Sequence, residues 1–399
     1  MSEQKIFTKP LVLTALASAS GMLSFGWNTG CINSSQTAIK KFMIDVYFKR
    51  NGTHLSPFFV TFLWSVTVSI FPLGGAVGGY FAGPVSRKFG MRNGLLLTNL
   101  LGLGAASLMA VSKFISSPEL LILGRLIIGI ECGFYTGLCP MLLAEVSPKQ
   151  IRGAIGSLTS LSAYTGLLCA EIFSTPGLFG TEELWPFIFL FAAVPPVIQF
   201  ILLQFCSEGP RYLLIIRNNE AAARTVLMQL RKKYDVNDEI DEMKREALNL
   251  ANEKKVSIRE LFTNKIYRLP IAVAIVVHLS MRFCAINGIM YYSTDLFKKA
   301  KIAEGTGSYA TIGVGVILVI MTIVSGYLMD KAGRRTLHLL GLMGTLDIIP
   351  NYPFVPFAVI TLFAILFLYK YLPETKKRTF EEITMLFRSH MKESPAIIQ

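Results

Sequence analysis

The stretch HLSMRFCAINGIMYYST, residues 278–294, places a permanent charge, Arg282, in the middle of a long apolar run. A guanidinium stays protonated in proteins, and a charge at the centre of a bilayer costs about 2.5–3.5 kcal/mol on insertion scales. Arg282 is therefore expected to face a watery cavity or a carboxylate, and Glu131 and Glu171 in other apolar runs are candidate partners. Two interpretations stay open: a pocket for an anionic or otherwise altered substrate, and a structural ion pair.

Neutral amides and hydroxyls form a second group of polar side chains within the apolar runs. They suit a ligand rich in hydroxyl groups, because they give specificity without binding so tightly that release stalls. The alternative is that they satisfy neighbouring helices. The members of this group are Asn28, Ser160, Ser162, Thr165 and Asn287.

Enzyme and metal chemistry find no support in the residue spacing. The six cysteines lie within or at the ends of apolar runs and lack metal-ligand spacing, which is typical of buried free thiols. No nucleophile–base spacing is evident either. The sequence therefore predicts no enzyme activity, no metal and no cofactor.

The segments that carry these side chains are long enough to cross a membrane. The 399-residue chain is 52% hydrophobic and 16% charged, against about 25% charged residues in a soluble domain. A run of about 20 apolar residues spans a bilayer, and it must be helical because lipid offers the backbone no hydrogen-bond partner. The sequence thus predicts an all-α membrane protein. The predicted spans are 11–32, 58–83, 94–112, 120–144, 154–174, 185–206, 269–294, 307–329 and 354–372.

A net charge of +13 is often taken as a sign of nucleic-acid binding, but in a chain of long apolar spans it indicates membrane topology instead. Lysine and arginine mark cytoplasmic loops, and they cluster in loops 84–93 and 147–153 and after the eighth span. This distribution predicts a cytoplasmic N-terminus. Asn51-Gly52-Thr53 is a glycosylation sequon on the opposite side, so Asn51 is a predicted modification site.

Short motifs recur in the two parts of the chain. RKFGMR (87–92) after span two resembles DKAGRR (330–335) after span eight, and SEGPR (207–211) resembles PETK (373–376). Internal repeats are typical of secondary transporters, which bind substrate between two related halves. The predicted organisation is a six-helix half, an amphipathic cytoplasmic segment, a shortened second half and a cytoplasmic-type tail, at 1–206, 207–266, 267–372 and 373–399.

Several longer motifs are specific in combination. They are FGWNTGCIN (25–33), GRLIIGIECGFYTG (124–137), AEVSPKQIRGAIG (144–156), SEGPRYLL (207–214), INGIMYYST (286–294), YATIG (309–313), DKAGRRTLHLLG (330–341) and LPETKKRTFEEI (372–383). With these motifs the chain resembles the facilitative hexose transporters, the glucose and fructose carriers in the sugar-porter branch of the major facilitator superfamily. FLWSVTVSIFPLGG (62–75) is more similar to the fructose-carrying branch.

The resemblance implies a role for particular residues. Asn28 falls where the proton-coupled sugar porters carry an aspartate, and since an amide does not exchange a proton in this pH range, a uniporter is favoured. The implied substrate contacts are Phe25, Asn28, Thr29, Ser160, Arg282 and Asn287, and the implied extracellular gate is Tyr291 and Tyr292. The implied cytoplasmic salt-bridge gate is Arg92, Glu145, Arg152, Glu208, Arg211, Arg334, Arg335 and Glu374.

The chain departs from the family pattern in its second half. Met281-Arg282 stands where the family has two glutamines, Ser160 replaces a glutamine, Leu318 replaces an asparagine, and about three helices are missing after Gly341. We therefore expect facilitated uniport of a hexose or related sugar or polyol across the plasma membrane, with sugar and lipid as partners. The alternative is a truncated non-transporting isoform or sensor that regulates a full-length carrier, and whether the chain pairs with such carriers stays open.

Overall fold

The computed structural model describes residues 8–148, 151–252, 262–283, 306–347 and 355–373. Within these ranges the chain is mainly helical and contains no strand, and each of the nine predicted spans is helical over most of its described length. Among the described residues, six helical segments are long and apolar enough to cross a membrane. The all-α, multi-pass membrane architecture predicted from the sequence is confirmed.

The chain divides into two compact units, of which the first comprises residues 1–251 and 291–322. Its N-terminal helices are α1 (Lys9–Ser34), α2 (Gln36–Asn51), α3 (Pro57–Phe89), α4 (Met91–Val111), α5 (Pro118–Val146) and α6 (Arg152–Phe173). These are followed by α7 (Trp185–Phe191), α8 (Val194–Gln204), a π-helical turn (Tyr212–Ile216), α9 (Glu220–Arg231) and α10 (Asn237–Asn252). The first part of α12 (Thr306–Ala332) also belongs to this unit.

Glycines set the packing of α1 on α6. A methyl group built on Gly26 would overlap the carbonyl oxygen of Ala163, and one built on Gly166 would overlap that of Leu23. Lipid tails are as apolar as leucine, so helices in a membrane associate through close packing at small residues. Glycine is therefore required where the α1 and α6 backbones touch.

The crossing of α3 and α5 follows the same rule. Gly74 and Gly78 on α3 meet backbone atoms of Leu126 and Ile130 on α5, while Gly129 on α5 lies against the Phe71 carbonyl. A side chain at any of these glycines would push the two backbones apart. Both crossings use glycines from apolar runs whose role the sequence alone does not reveal.

The predicted sixth span, 185–206, consists of two helices. Pro195 and Pro196 carry no backbone N–H, so they leave the carbonyls of Phe191 and Ala192 without their usual helical donors. The chain tightens there, and Ala192 and Ala193 donate to Phe189 and Leu190, at 3.2 and 3.0 Å. A break thus separates α7 from α8.

Helices α9 and α10 are amphipathic, as the spacing in 207–266 predicts. Leu227 on α9 and Ile240 on α10 are buried in a small shared core. Glu220 lies on their polar side, where its carboxylate contacts Lys244 Nζ at 2.7 Å and Arg224 Nη2 at 2.8 Å. Hydrogen bonds from Lys244 and then Arg224 hold the pKa of the Glu220 carboxyl below its ordinary value.

The second unit comprises residues 252–290 and 323–399. Its described helices are α11 (Lys265–Phe283), the end of α12, α13 (Arg334–Asp347) and α14 (Val355–Tyr371). Val273, Leu339, Leu342 and Leu368 form its core. Helix α13 covers the first part of segment 336–353, and residues 348–353 lie outside the described residues.

Substitution of Gly26 by alanine tests the α1–α6 crossing. The added methyl must displace the Ala163 carbonyl, and overpacking of this kind costs about 1–3 kcal/mol. Gly83→Ala on α3 is the matched control, because no atom lies within 4 Å of a methyl built there. We expect thermal unfolding of detergent-purified protein to show a lower Tm for Gly26→Ala and an unchanged Tm for Gly83→Ala. Equal Tm values would contradict the packing assigned to Gly26.

Candidate functional site

The middle of α1 meets a buried arginine of α5. Arg125 is fully buried, donates from Nη1 to the Asn28 carbonyl at 2.8 Å and lies over the Phe71 ring, 4.5 Å from its centroid. Among the described residues, Arg125 Nε and Nη2 have no hydrogen-bond partner. A buried donor without a partner costs about 1–3 kcal/mol or more when charged. These N–H groups are therefore available to a ligand oxygen or a bound water.

Asn28 presents an acceptor at the same place. Its Nδ2 donates to the Ser24 carbonyl at 2.9 Å, whereas no donor to its Oδ1 is found in the described part of the chain. The side chain is fully buried. The amide nitrogen of Asn28 therefore bonds within its own helix, and the amide oxygen remains available for hydrogen bonding.

The other predicted substrate contacts of α1 lie beside this pair. Phe25 is half-buried and stacks on Phe71, with 6.5 Å between the ring centroids. The Thr29 hydroxyl donates to the Phe25 carbonyl at 2.9 Å. The structure thus brings Phe25, Asn28 and Thr29 into one region with Arg125 and Phe71.

Arg125 is a member of this region that the sequence reasoning missed. It stands inside an apolar run, GRLIIGIECGFYTG, which is the same signal that singled out Arg282. The partner of Arg125 is a backbone carbonyl 97 positions away in sequence. Residue types alone therefore could not pair it with Asn28.

The remaining predicted substrate contacts are distributed differently. Ser160 lies on an exposed face of α6 in the first unit, and Arg282 is exposed near the end of α11 in the second. Asn287, Tyr291 and Tyr292 lie outside the described residues. Their roles stay predictions.

The two acids proposed as partners of Arg282 are both buried in the first unit. Glu131 accepts a hydrogen bond from the Tyr135 hydroxyl at 2.6 Å, and that hydroxyl also bonds with the Asn99 side chain. Within the described ranges, neither Glu131 Oε2 nor Glu171 Oε2 has a hydrogen-bond partner. Pairing of Arg282 with either acid stays a prediction.

The predicted cytoplasmic gate is built around a helix start. Gly90 adopts φ +89°, a left-handed conformation that glycine permits, and turns the chain from α3 into α4. The Glu208 carboxylate accepts the first N–H groups of α4, from Met91 at 2.9 Å, Arg92 at 3.0 Å and Asn93 at 3.3 Å. A negative charge at a helix N-terminus is stabilised by the unsatisfied N–H groups and the helix dipole.

A second carboxylate makes a similar contact nearby. Glu145, at the end of α5, accepts from the backbone N–H of Arg211 at 2.6 Å and of Tyr212 at 3.3 Å. Arg92 Nε in turn donates to the Leu203 carbonyl near the end of α8, at 2.7 Å. The structure thus joins Arg92, Glu145, Glu208 and Arg211 through carboxylate–amide and guanidinium–carbonyl contacts.

The other members of the predicted gate lie elsewhere or outside the described residues. Arg335 belongs to the second unit, where its Nη2 donates to the Tyr369 carbonyl at 2.6 Å, and Arg334 begins α13. The side chain of Arg152 and all of Glu374 lie outside the described residues. Asn51 is exposed at the end of α2, beside Gly52 at φ +68°.

The chain shares its fold with solved structures of the major facilitator superfamily. Two structures of the xylose transporter XylE, one partially occluded inward-open form from E. coli and one bound to 6-bromo-6-deoxy-D-glucose, match with TM-scores of 0.70 and 0.76. The first is 21% identical in sequence, and the match covers 90% of this chain and 81% of the XylE chain. The second is 20% identical, and the match covers 95% of this chain and 99% of the XylE chain.

Sequence comparison gives the family. The family model "Sugar (and other) transporter" matches residues 13–349. The facilitated glucose transporter member 3 of Gallus gallus is 44% identical over 86% of this chain and 69% of its own length. Member 3 of Ovis aries and member 1 of Gallus gallus are also 44% identical, over 84% of this chain and 68% of theirs. The chain belongs to the sugar transporter family.

Replacing Glu208 by glutamine tests the α4 cap. The change keeps the shape and removes the charge, so it loses the helix-terminus interaction, worth about 1–2 kcal/mol in partly buried geometry. Glu119→Gln is the control, since Glu119 forms an exposed ion pair with Arg50 at 2.6 Å and such pairs contribute about 0–1 kcal/mol. We expect a clearly lower Tm for Glu208→Gln than for Glu119→Gln. The reverse order would contradict the capping role.

Proposed function

We propose that the protein carries a hexose, or a related sugar or polyol, across the plasma membrane by facilitated uniport. The observation that carries this proposal is the pairing of Asn28 with Arg125 in a chain of the sugar transporter family. Relatives that are 44% identical carry the name facilitated glucose transporter. A sugar offers many hydroxyl groups, and the open positions on Asn28 and Arg125 suit hydroxyl partners.

Uniport is favoured by the protonation chemistry of this pair. Asn28 does not titrate, and Arg125 does not lose its proton in proteins. Within the described residues, no carboxylate contacts the Arg125 guanidinium. The pair therefore has no group that binds and releases a proton during a transport cycle.

Alternating access requires an interface that locks and releases. In the proposed topology the N-terminus and the 207–266 segment are cytoplasmic, and residues 1–206 and 267–372 form the two halves. The Glu208 and Glu145 contacts then lie at the cytoplasmic ends of α4, α5 and α8, where they fix the surface of the N-terminal half that the second half would meet when this face closes. The exposure of Asn51 supports its assignment as a glycosylation site on the outer side.

The second candidate function is that of a non-transporting isoform or sensor that assembles with full-length carriers. It is favoured by an internal departure from the family pattern, because about three helices are missing after Gly341. Substitution at the expected pocket, with Met281-Arg282 in place of two glutamines, also favours it. Flux through the protein distinguishes the two candidates.

Labelled glucose and fructose uptake in transporter-null cells tests the proposed function. We expect saturable uptake that equilibrates without accumulation and is insensitive to a protonophore, because no proton is exchanged at the Asn28–Arg125 pair. Ser160→Trp should lower uptake by adding bulk at a predicted sugar contact. Ser107→Trp, at an exposed serine of α4, is the control. Absent uptake by folded, surface-located protein would contradict uniport and support the regulator.

Arg282→Gln tests the anionic-substrate interpretation of the pocket. A charge-assisted hydrogen bond contributes about 1.5–3 kcal/mol, so its loss should lower glucuronate uptake relative to glucose uptake by about tenfold or more. Arg268→Gln is the control, because Arg268 is another exposed arginine of α11. An unchanged glucuronate-to-glucose ratio in Arg282→Gln would refute a substrate contact and leave Arg282 in a structural role.

A further inference from the structure

Glu171 is a buried carboxyl at a contact between helices from the two predicted halves. It lies near the end of α6 and is 1% exposed. Gly315 of α12 faces it within the first unit, and a methyl group built on Gly315 would overlap Glu171 Oε2. Leu168 contacts the same face of Gly315. The absent side chain at Gly315 thus provides the space that the carboxyl occupies.

Among the described residues, no charged group contacts Glu171 to balance it. The titratable or charged groups on the packed helices include Cys31 on α1, Arg125 and Glu131 on α5, and Tyr309 on α12. Arg125 bonds with Asn28, Glu131 bonds with Tyr135, and Tyr309 is exposed. In the described part of the chain, none of them contacts the Glu171 carboxyl and Oε2 has no hydrogen-bond donor. An isolated buried carboxylate is far more costly than a neutral acid.

We propose that Glu171 is a proton-binding site at the α6–α12 contact. The acid is neutral while the two helices are packed, and it releases its proton when they separate and water reaches it. The packed form then binds one more proton than the separated form. Lower pH therefore favours packing, and rising pH favours separation by up to about tenfold per pH unit.

This inference rests on the proposed function only for its place in the cycle. Transport by alternating access separates helices of the two halves, and α6 and α12 belong to different predicted halves. The proton site would then make the opening of this contact depend on pH. Asn28 and Arg125 remain outside the titration, so substrate recognition itself need not change.

Glu131 provides a matched control within the same unit. It is also a fully buried carboxyl of a long apolar helix, and a side chain at Gly102 of α4 would overlap it. Its contacts with Tyr135 and Gly102 join α4 and α5, which belong to one predicted half. Removing its charge should therefore leave the opening of the α6–α12 contact unchanged.

Labelling of Leu168→Cys by N-ethylmaleimide, quantified on its peptide by mass spectrometry, measures this opening in purified protein that also carries Cys169→Ser. Leu168 contacts the face of Gly315 that meets Glu171, and Cys169→Ser removes the native thiol beside it, so every protein compared below carries both changes. Wild type and Glu171→Gln are compared at each pH from roughly 5 to roughly 8, which removes the intrinsic pH dependence of the thiol. The wild-type rate divided by the Glu171→Gln rate should rise severalfold with pH.

Two further variants test whether the pH dependence belongs to the carboxyl at position 171. Glu131→Gln should follow wild type, and Glu171→Asp should retain the rise because it restores an acid at this position. A flat ratio, or a rise abolished by Glu131→Gln alone, would overturn the proposal. Labelling requires no flux, so a rise without sugar uptake refutes only the proposed transport function. Uptake with a flat ratio refutes only the proton site.

Discussion

Close approach of helix backbones at glycines is the constraint on which the rest of this structure depends. Lipid does not drive helices together as water does, so packing must supply the association. Gly26 and Gly166 bring α1 against α6, and Gly74 and Gly129 bring α3 against α5. These crossings place Asn28 of α1 next to Arg125 of α5, with Phe71 of α3 beneath the guanidinium. The candidate sugar site is a consequence of that packing.

The buried polar side chains differ in how many of their hydrogen-bonding atoms have partners. Glu208 and Glu145 accept backbone N–H groups at helix starts, which is a structural use of charge. Glu131 accepts one hydrogen bond at Oε1 from Tyr135 of its own helix, and among the described residues its Oε2 has no partner. Asn28, Arg125 and Glu171 keep atoms without partners among the described residues, and these are the groups that a ligand, a water or a proton can complete.

Family membership defines the fold and general function of this protein, whereas single substitutions bear on its substrate selectivity. The match over residues 13–349 and the shared fold define a sugar transporter. The substitution of Arg282 where the family has glutamine changes the chemistry expected of the pocket. A guanidinium only donates hydrogen bonds and carries a permanent charge, whereas a glutamine both donates and accepts. The same fold can therefore present a different selectivity.

The sequence by itself determined the helices and their membrane character, because length, apolar composition and the need for backbone hydrogen bonds are local properties. It also singled out Asn28, Glu208 and Glu145 through motifs. Only the tertiary structure decided that Glu208 caps α4 from 115 to 117 positions away, that Arg125 meets Asn28, and that Gly315 makes room for Glu171. Such contacts depend on which helix faces meet, and that is set by packing across the whole bundle and not by any one segment.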